Sequence, residues 1–193
     1  TIEQLIRHMS DTLQQYDAAI ASCKEIFIKK TKDYGTSWRV LRPISIVDQI
    51  LIKVLRIRSI QEKGAQRVAD NITDEFRGIV NYCIIGLIQL SNPSGSIEDL
   101  PAEQVEKWYD AKVMETQALM QAKNHDYDEA WRRLSQESFV DLILMKLMRM
   151  RQILANDGRT LISEGMEANY QDIINYAVFA LIMREDAAEK QSP

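Results

Sequence analysis

The sequence is short of what many folds require. Glycine and proline are scarce, and no stretch alternates apolar and polar residues in the two-residue rhythm of a strand. A sheet protein is thereby disfavoured, and the many Leu, Ile, Met, Ala, Glu and Gln residues tilt the chain towards helix. Cysteine occurs only at Cys23 and Cys83, with no Cys-x-x-Cys and no histidine beside either. That argues against a disulfide framework or a zinc site, and both read as small core residues of a reducing compartment. A basic excess is missing too: 24 Lys and Arg stand against 28 Asp and Glu, which disfavours binding to double-stranded nucleic acid. No apolar run has the length of a membrane span. The amphipathic first segment carries Glu3 and Asp11, unlike a secretory leader. The expected location is the cytoplasm. Gly-rich phosphate loop, His-Glu-x-x-His, nucleophile elbow and EF-hand loop are all absent, so no standard chemistry announces itself.

What the sequence does have is a repeat. Residues 30–38 read KTKDYGTSW and residues 123–131 read KNHDYDEAW, 93 residues apart. At that spacing Tyr16-Asp17-Ala18 falls on Tyr109-Asp110-Ala111, and Lys30, Asp33, Tyr34 and Trp38 fall on Lys123, Asp126, Tyr127 and Trp131. Ser45, Asp48, Lys53, Arg56 and Arg58 fall on Ser138, Asp141, Lys146, Arg149 and Arg151. The spacing then becomes 94, so that Gly64 meets Gly158 and Asn81-Tyr82 meets Asn175-Tyr176. An ungapped match of this extent implies tandem duplication.

Each copy reads as three helices. In the first, Ile2, Leu5, Ile6, Met9, Leu13 and Tyr16 step by three and four and open a helix expected to reach Lys32. A second helix is predicted from Ser45 to just before Gly64, a suitable C-terminal cap, and a third from Ile72 to Leu90. The second copy repeats this over 103–123, 138–157 and 166–183. The predicted fold class is all-α, a tandem duplication of a three-helix unit packed as a pseudo-two-fold helical bundle, because a single short unit cannot cover its own apolar faces. Residues 1–90 form the first repeat, 91–100 a turn-rich linker, 101–185 the second repeat and 186–193 a flexible tail. The segment SFVDLILMKLMRMRQIL (138–154) is apolar on nearly every side and is expected in the middle of the bundle.

Charges on those second helices require partners. Lys53 and Arg56, and likewise Lys146 and Arg149, lie about 60° apart on one helix edge. Buried cations are costly unless paired. Asp33 and Asp126, closing the first helix of each copy, are the expected internal partners, and a bound phosphate is the rival. Asp48 and Asp141 read either as the acids of capping boxes begun by Ser45 and Ser138 or as ligands. The third helix supplies Asp74 in the first copy. In the second copy Ala168 stands at that position and Asp172 appears where the first has Gly78. Tyr34, Trp38, Tyr127 and Trp131 are packing anchors or a base-stacking platform. Asn81 and Asn175 are buried hydrogen-bonding residues that bridge helices or line a cavity. Asp128, replacing Gly35, is expected to tolerate a left-handed turn. His8 and His125 occupy no shared place, and neither is a catalytic candidate.

The pattern Lys-x-x-Asp-Tyr-Gly-x-Ser-Trp, then Ser-x-x-Asp-x-x-x-x-Lys-x-x-Arg, then an acidic helix ending in Asn-Tyr, resembles the nucleotide modification associated domain family. It does so over nearly the whole chain and in both copies, with Asp128 and Ala130 departing at the Gly and Ser of the motif. The architecture also resembles the all-α nucleoside triphosphate pyrophosphohydrolases, which hold Mg²⁺ with Glu-x-x-Glu and Glu-x-x-Asp pairs. Here the first pair is missing, Gln49, Leu51 and Ile52 surrounding Asp48. The resemblance implies a nucleotide-binding or nucleotide-processing helical protein, with Mg²⁺-dependent hydrolysis of a phosphate ester or pyrophosphate as its catalytic form. A nucleotide or phosphorylated small molecule would meet Lys30, Tyr34, Trp38, Lys53, Arg56 and Asn81. Its counterpart would meet Lys123, Tyr127, Trp131, Lys146, Arg149 and Asn175. Mg²⁺ would be held by Asp33, Asp48 and Asp74, or by Asp126, Asp141 and Asp172. The alternative is a non-catalytic helical interaction module. Homo-oligomerisation is left open.

Overall fold

The computed structural model describes residues 2–64, 71–93, 99–161 and 164–191, with side chains from residue 11 onward. Helices α1 (Ile2–Tyr34), α2 (Pro43–Lys63) and α3 (Ile72–Ser91) form the first repeat, and α4 (Ala102–Tyr127), α5 (Gln136–Ala155) and α6 (Met166–Glu189) the second. Short 3₁₀ turns, Ser37–Val40 and Ala130–Arg133, join the first helix of each repeat to the second. Of the linker expected at 91–100, residues 94–98 lie outside the described residues, and Ser91 still belongs to α3. The last helix runs on to Glu189, into the segment read from sequence as a tail. Among the described residues no helix is long and apolar enough to cross a membrane.

The helices pair across the duplication. α3 packs on α6, α2 on α5 and α1 on α4, and each pair is antiparallel. Arg184, late in α6, donates to Thr73 Oγ1, early in α3, at 3.0 Å. Tyr170, early in α6, lies over Gly86, late in α3, where a Cβ would collide with its ring. At the α1–α4 contact Lys24 meets Asp110 at 2.8 Å, and Gln117, the counterpart of Lys24, donates to Asp17 at 2.7 Å. At the α2–α5 contact Arg58 faces Asp141 at 3.8 Å and Arg151 faces Asp48 at 3.9 Å. The same contact is thus made twice, once from each half, as a pseudo-two-fold axis requires.

The innermost helices are α3 and α6, not α2 and α5. Ile79, Val80, Cys83, Ile84, Leu87 and Ile88 of α3 are buried, as are Ile173, Ile174, Ala177, Val178 and Ile182 of α6. Ile52 and Leu55 of α2, and Met145 and Met148 of α5, are exposed. An all-round apolar pattern marks a central helix only when nothing more continuous competes for the centre, and α3 and α6 carry the longer unbroken apolar runs.

Helix starts also differ from expectation. α2 begins at Pro43, whose fixed φ suits the first helical position. α5 begins at Gln136 behind Ser135, whose Oγ accepts from the Ser138 N–H at 3.1 Å. Ser45 and Ser138 therefore sit inside the first turn, and the two expected capping boxes do not form. Gly64 does end α2 in a left-handed conformation, φ 63°.

Candidate functional site

Asn81 and Asn175 tie the two halves together. Asn81 Nδ2 donates to the Cys23 carbonyl of α1 at 3.0 Å, while its Oδ1 accepts from the Tyr109 hydroxyl of α4 at 2.8 Å. Asn175 Nδ2 donates to the Thr116 carbonyl of α4 at 3.4 Å, and its Oδ1 accepts from the Tyr16 hydroxyl of α1 at 2.8 Å. Each amide thus links its own repeat to the first helix of the other. Burial pushes the Tyr16 and Tyr109 hydroxyls far up, the neighbouring Cys23 adding to it, which keeps them neutral donors. Both amides spend a donor and an acceptor on the fold, although Asn81 also borders a cavity.

That cavity, about 460 Å³, opens in the first repeat between α1, the 3₁₀ turn, α2 and α3. Lys30, Tyr34, Trp38 and Lys53 line it, with Asp74, Asn81 and Tyr82 from α3. Lys30 and Tyr34 share a face because they are four apart on α1. The chain can turn so sharply after Tyr34 because Gly35 takes φ 64°. Its missing side chain also makes room for Asp99, whose Oδ1 accepts from Thr36 N at 2.7 Å and Thr36 Oγ1 at 2.9 Å. These bonds hold the Asp99 carboxyl below its ordinary pKa. In the second repeat Asp128 does adopt the left-handed conformation, φ 49°.

Among the described residues, the acid that meets both Lys53 and Arg56 is Glu75. It is 7 % exposed, accepts from Arg56, and lies 3.5 Å from Lys53 Nζ. Lys53 Nζ also stands 5.9 Å from the Tyr82 ring centre. In the second repeat the acid is Asp172. Its Oδ1 accepts from Lys123 at 2.6 Å and its Oδ2 from Lys146 at 2.7 Å. Burial works to raise the Asp172 pKa, but the two lysines outweigh it and hold the carboxyl below the ordinary aspartate value. Glu75 and Gly78 are one turn apart on α3, and their counterparts are Asn169 and Asp172. The anionic side chain has therefore moved one turn along the same helix face between the copies.

The pairing expected of Asp33 and Asp126 is corrected, and other expected site residues lie apart from the cavity or are already paired. Asp33 and Asp126 are exposed and do not answer the α2 and α5 cations; Asp33 lies about 100° around the helix from Tyr34 and turns away from the cavity. Asp126 meets only His125, at 3.1 Å, among the described residues. Asp48 and Asp141 sit on the α2–α5 seam opposite Arg151 and Arg58, remote from the cavity lining. Asp74 borders the cavity but is paired with Arg77 at 3.0 Å. Arg149 is exposed beside Met145. The acids expected to hold Mg²⁺ are spread over separate faces. Among the described residues no three acidic, histidine or cysteine side chains gather as a metal cage.

The aromatic positions divide. Trp38 and Trp131 are buried packing residues whose indole N–H groups find no partner among the described residues. Trp131 stacks on Phe179, centroids 4.2 Å apart, where the first repeat has Ile85 at the cavity wall. Tyr34 and Tyr127 are exposed, so neither anchors the core.

Neither Glu75 nor Asp99 stands out in the sequence. Glu75 adjoins Asp74 and has no acidic counterpart in the second copy, so the repeat comparison passes over it. Asp99 lies in the linker, where the copies have no correspondence to offer.

The profile of the family described as nucleotide modification associated domain 1 matches residues 30–90 and again residues 123–183. The chain belongs to that family. No curated protein and no solved structure matches it. Each match opens at the lysine of the Lys-x-x-Asp-Tyr motif and closes near the end of the central helix, so most of the cavity lining and the Lys123–Asp172–Lys146 group fall within domain 1 copies.

Proposed function

We propose that the first domain 1 copy binds a nucleotide or another phosphorylated small molecule in its cavity. Lys30 and Lys53 would meet phosphate, and Tyr34 and Tyr82 would flank the remainder of the ligand. One observation carries this reading: Lys30 borders a ligand-sized cavity with no acidic partner among the described residues, whereas its counterpart Lys123 is neutralised by Asp172. The family's description, which couples the domain with nucleotide modification, agrees with it. Binding is better supported than hydrolysis, since Asp74 and Glu75, the acids at the cavity, are each engaged by a cation.

A thermal-shift panel of nucleotides and other phosphorylated small molecules, with and without Mg²⁺, tests the reading. A ligand at a hundred times its dissociation constant stabilises by about 2.7 kcal/mol, which for a chain of this length raises Tm by roughly 5–10 °C. Lys30→Ala should remove that shift while leaving the ligand-free Tm nearly unchanged. A flat panel for the intact chain would sink the proposal. The alternative, a non-catalytic helical interaction module, is favoured by the closed Lys123–Asp172–Lys146 group and predicts that flat panel.

A further inference from the structure

The second repeat marks where the first would hold its anion. Asp172 bridges Lys123 and Lys146 with one carboxylate oxygen each, at 2.6 and 2.7 Å, and is 6 % exposed. The corresponding lysines of the first repeat are Lys30 and Lys53, and the residue at the place of Asp172 is Gly78. Gly78 borders the cavity. A Cβ built there would lie 2.9 Å from Lys53 Cε and 3.1 Å from its Nζ. The end of Lys53 has thus settled into the space that an aspartate side chain fills in the other copy. Lys53 reaches its own acid, Glu75, only at 3.5 Å, and Lys30 reaches none among the described residues.

We infer that Lys30 and Lys53 together bind one terminal oxyanion of the ligand, a phosphate, over Gly78, and that Asp172 is a built-in substitute for that group which closes the second site. The chain then takes one ligand, not two. Glycine at position 78 is the specificity element: it leaves the lysines short of a shared anion until a ligand phosphate arrives, and a flexible lysine end is all that must move. This rests on the reading of the cavity as a phosphate-ligand site.

The experiment uses the intact chain, its Gly78→Asp variant and a Gly78→Asn control of the same shape without the charge. Each is titrated calorimetrically with inorganic pyrophosphate to millimolar concentration, and each is melted without and with the nucleotide panel. The intact chain is expected to bind one equivalent. Gly78→Asp should weaken binding at least tenfold and melt higher than Gly78→Asn in the absence of ligand, because the introduced carboxylate recreates the Lys–Asp–Lys bridge of the second repeat. Should Gly78→Asp melt no higher than Gly78→Asn, the lysines do not converge over this position and the inference fails whatever the ligand. If nucleotides shift both the intact chain and Gly78→Asp equally, the anion position is wrong while the nucleotide reading stands. Two equivalents bound by the intact chain would overturn the closure of the second site. No binding of pyrophosphate or any nucleotide by the intact chain would overturn both proposals.

Discussion

The two repeats begin with the same pair of lysines and finish differently. In the second, Lys123 and Lys146 converge on a buried aspartate. In the first, the acid is one turn earlier on the helix, takes an arginine as well, and leaves Lys30 at the edge of a cavity. A duplicated fold needs the charge on its second helices answered in both halves, but it can be answered from different positions. Where the answer comes from position 172 a carboxylate stands between the two lysines, and where it comes from position 75 a cavity borders them. Scaffold and site are thus separable in this chain, and mutation of the two acids reads each one apart.

The largest effect is expected from Asp172→Ala. Lys146 is 9 % exposed and would be left buried without its counter-charge, at a cost of about 3 kcal/mol, measured by urea unfolding. The same bridge has a pH signature. Because the folded pKa of Asp172 is depressed, its contribution is fully present above the ordinary aspartate value and is lost as pH falls through the folded one. The stability gap between the intact chain and Asp172→Asn should therefore be constant near neutrality and shrink below about pH 4. For Lys123 the folded pKa is raised, burial opposing and the Asp172 contact prevailing. Its share is present below the ordinary lysine value and is lost as pH rises through the raised one.

Next come the two asparagines. Asn81→Ala and Asn175→Ala each strand a buried tyrosine hydroxyl and a carbonyl, for about 2 kcal/mol apiece. The pseudo-two-fold axis demands nearly equal losses. A large inequality would mean that the two tie points are not equivalent. The cycle joining Tyr16→Phe with Asn175→Ala should show coupling, whereas Tyr16→Phe with Asn81→Ala should be close to additive.

Glu75→Gln is expected to cost less than Asp172→Ala, about 1–2 kcal/mol, since Lys53 and Arg56 retain a quarter of their side-chain exposure and water can take over part of the solvation. A loss equal to that of Asp172→Ala would erase the distinction between an open and a closed half.

These contrasts show what the chain's one-dimensional pattern can and cannot convey. Duplication, six helices and the packing of one half on the other follow from periodicity and from the match at a 93-residue spacing, because burial of apolar faces obeys spacing; which helices lie innermost does not. Lys30, Lys53, Tyr34 and Asn81 are named together through the family resemblance, and they do border one cavity. Partner choice is not legible in the spacing. Asp33 looks suited to Lys53 because it closes α1, but one further step of 100° carries it to solvent. Glu75 escapes notice because the comparison of copies rewards residues that recur, and here the acid is what changed. The helix starts lie two residues before the serines that resemble caps, since Pro43 and Ser135 compete with them for the first turn.

The smallest effect sharpens the comparison at the surface. Lys24 meets Asp110 and Glu106, while its counterpart Gln117 meets Asp17 through a neutral donor's hydrogen bond at 2.7 Å. Gln117→Lys would give the second half the ion pair of the first. Both groups are solvent-accessible, so the gain should be about 0.3–0.5 kcal/mol at low salt. It should fade as added salt screens these solvent-accessible charges. A gain that persists in high salt would mean that the α1–α4 seam is better shielded from water than the exposure of Asp17 and Gln117 indicates, and that the two halves are less alike at this contact than their geometry suggests.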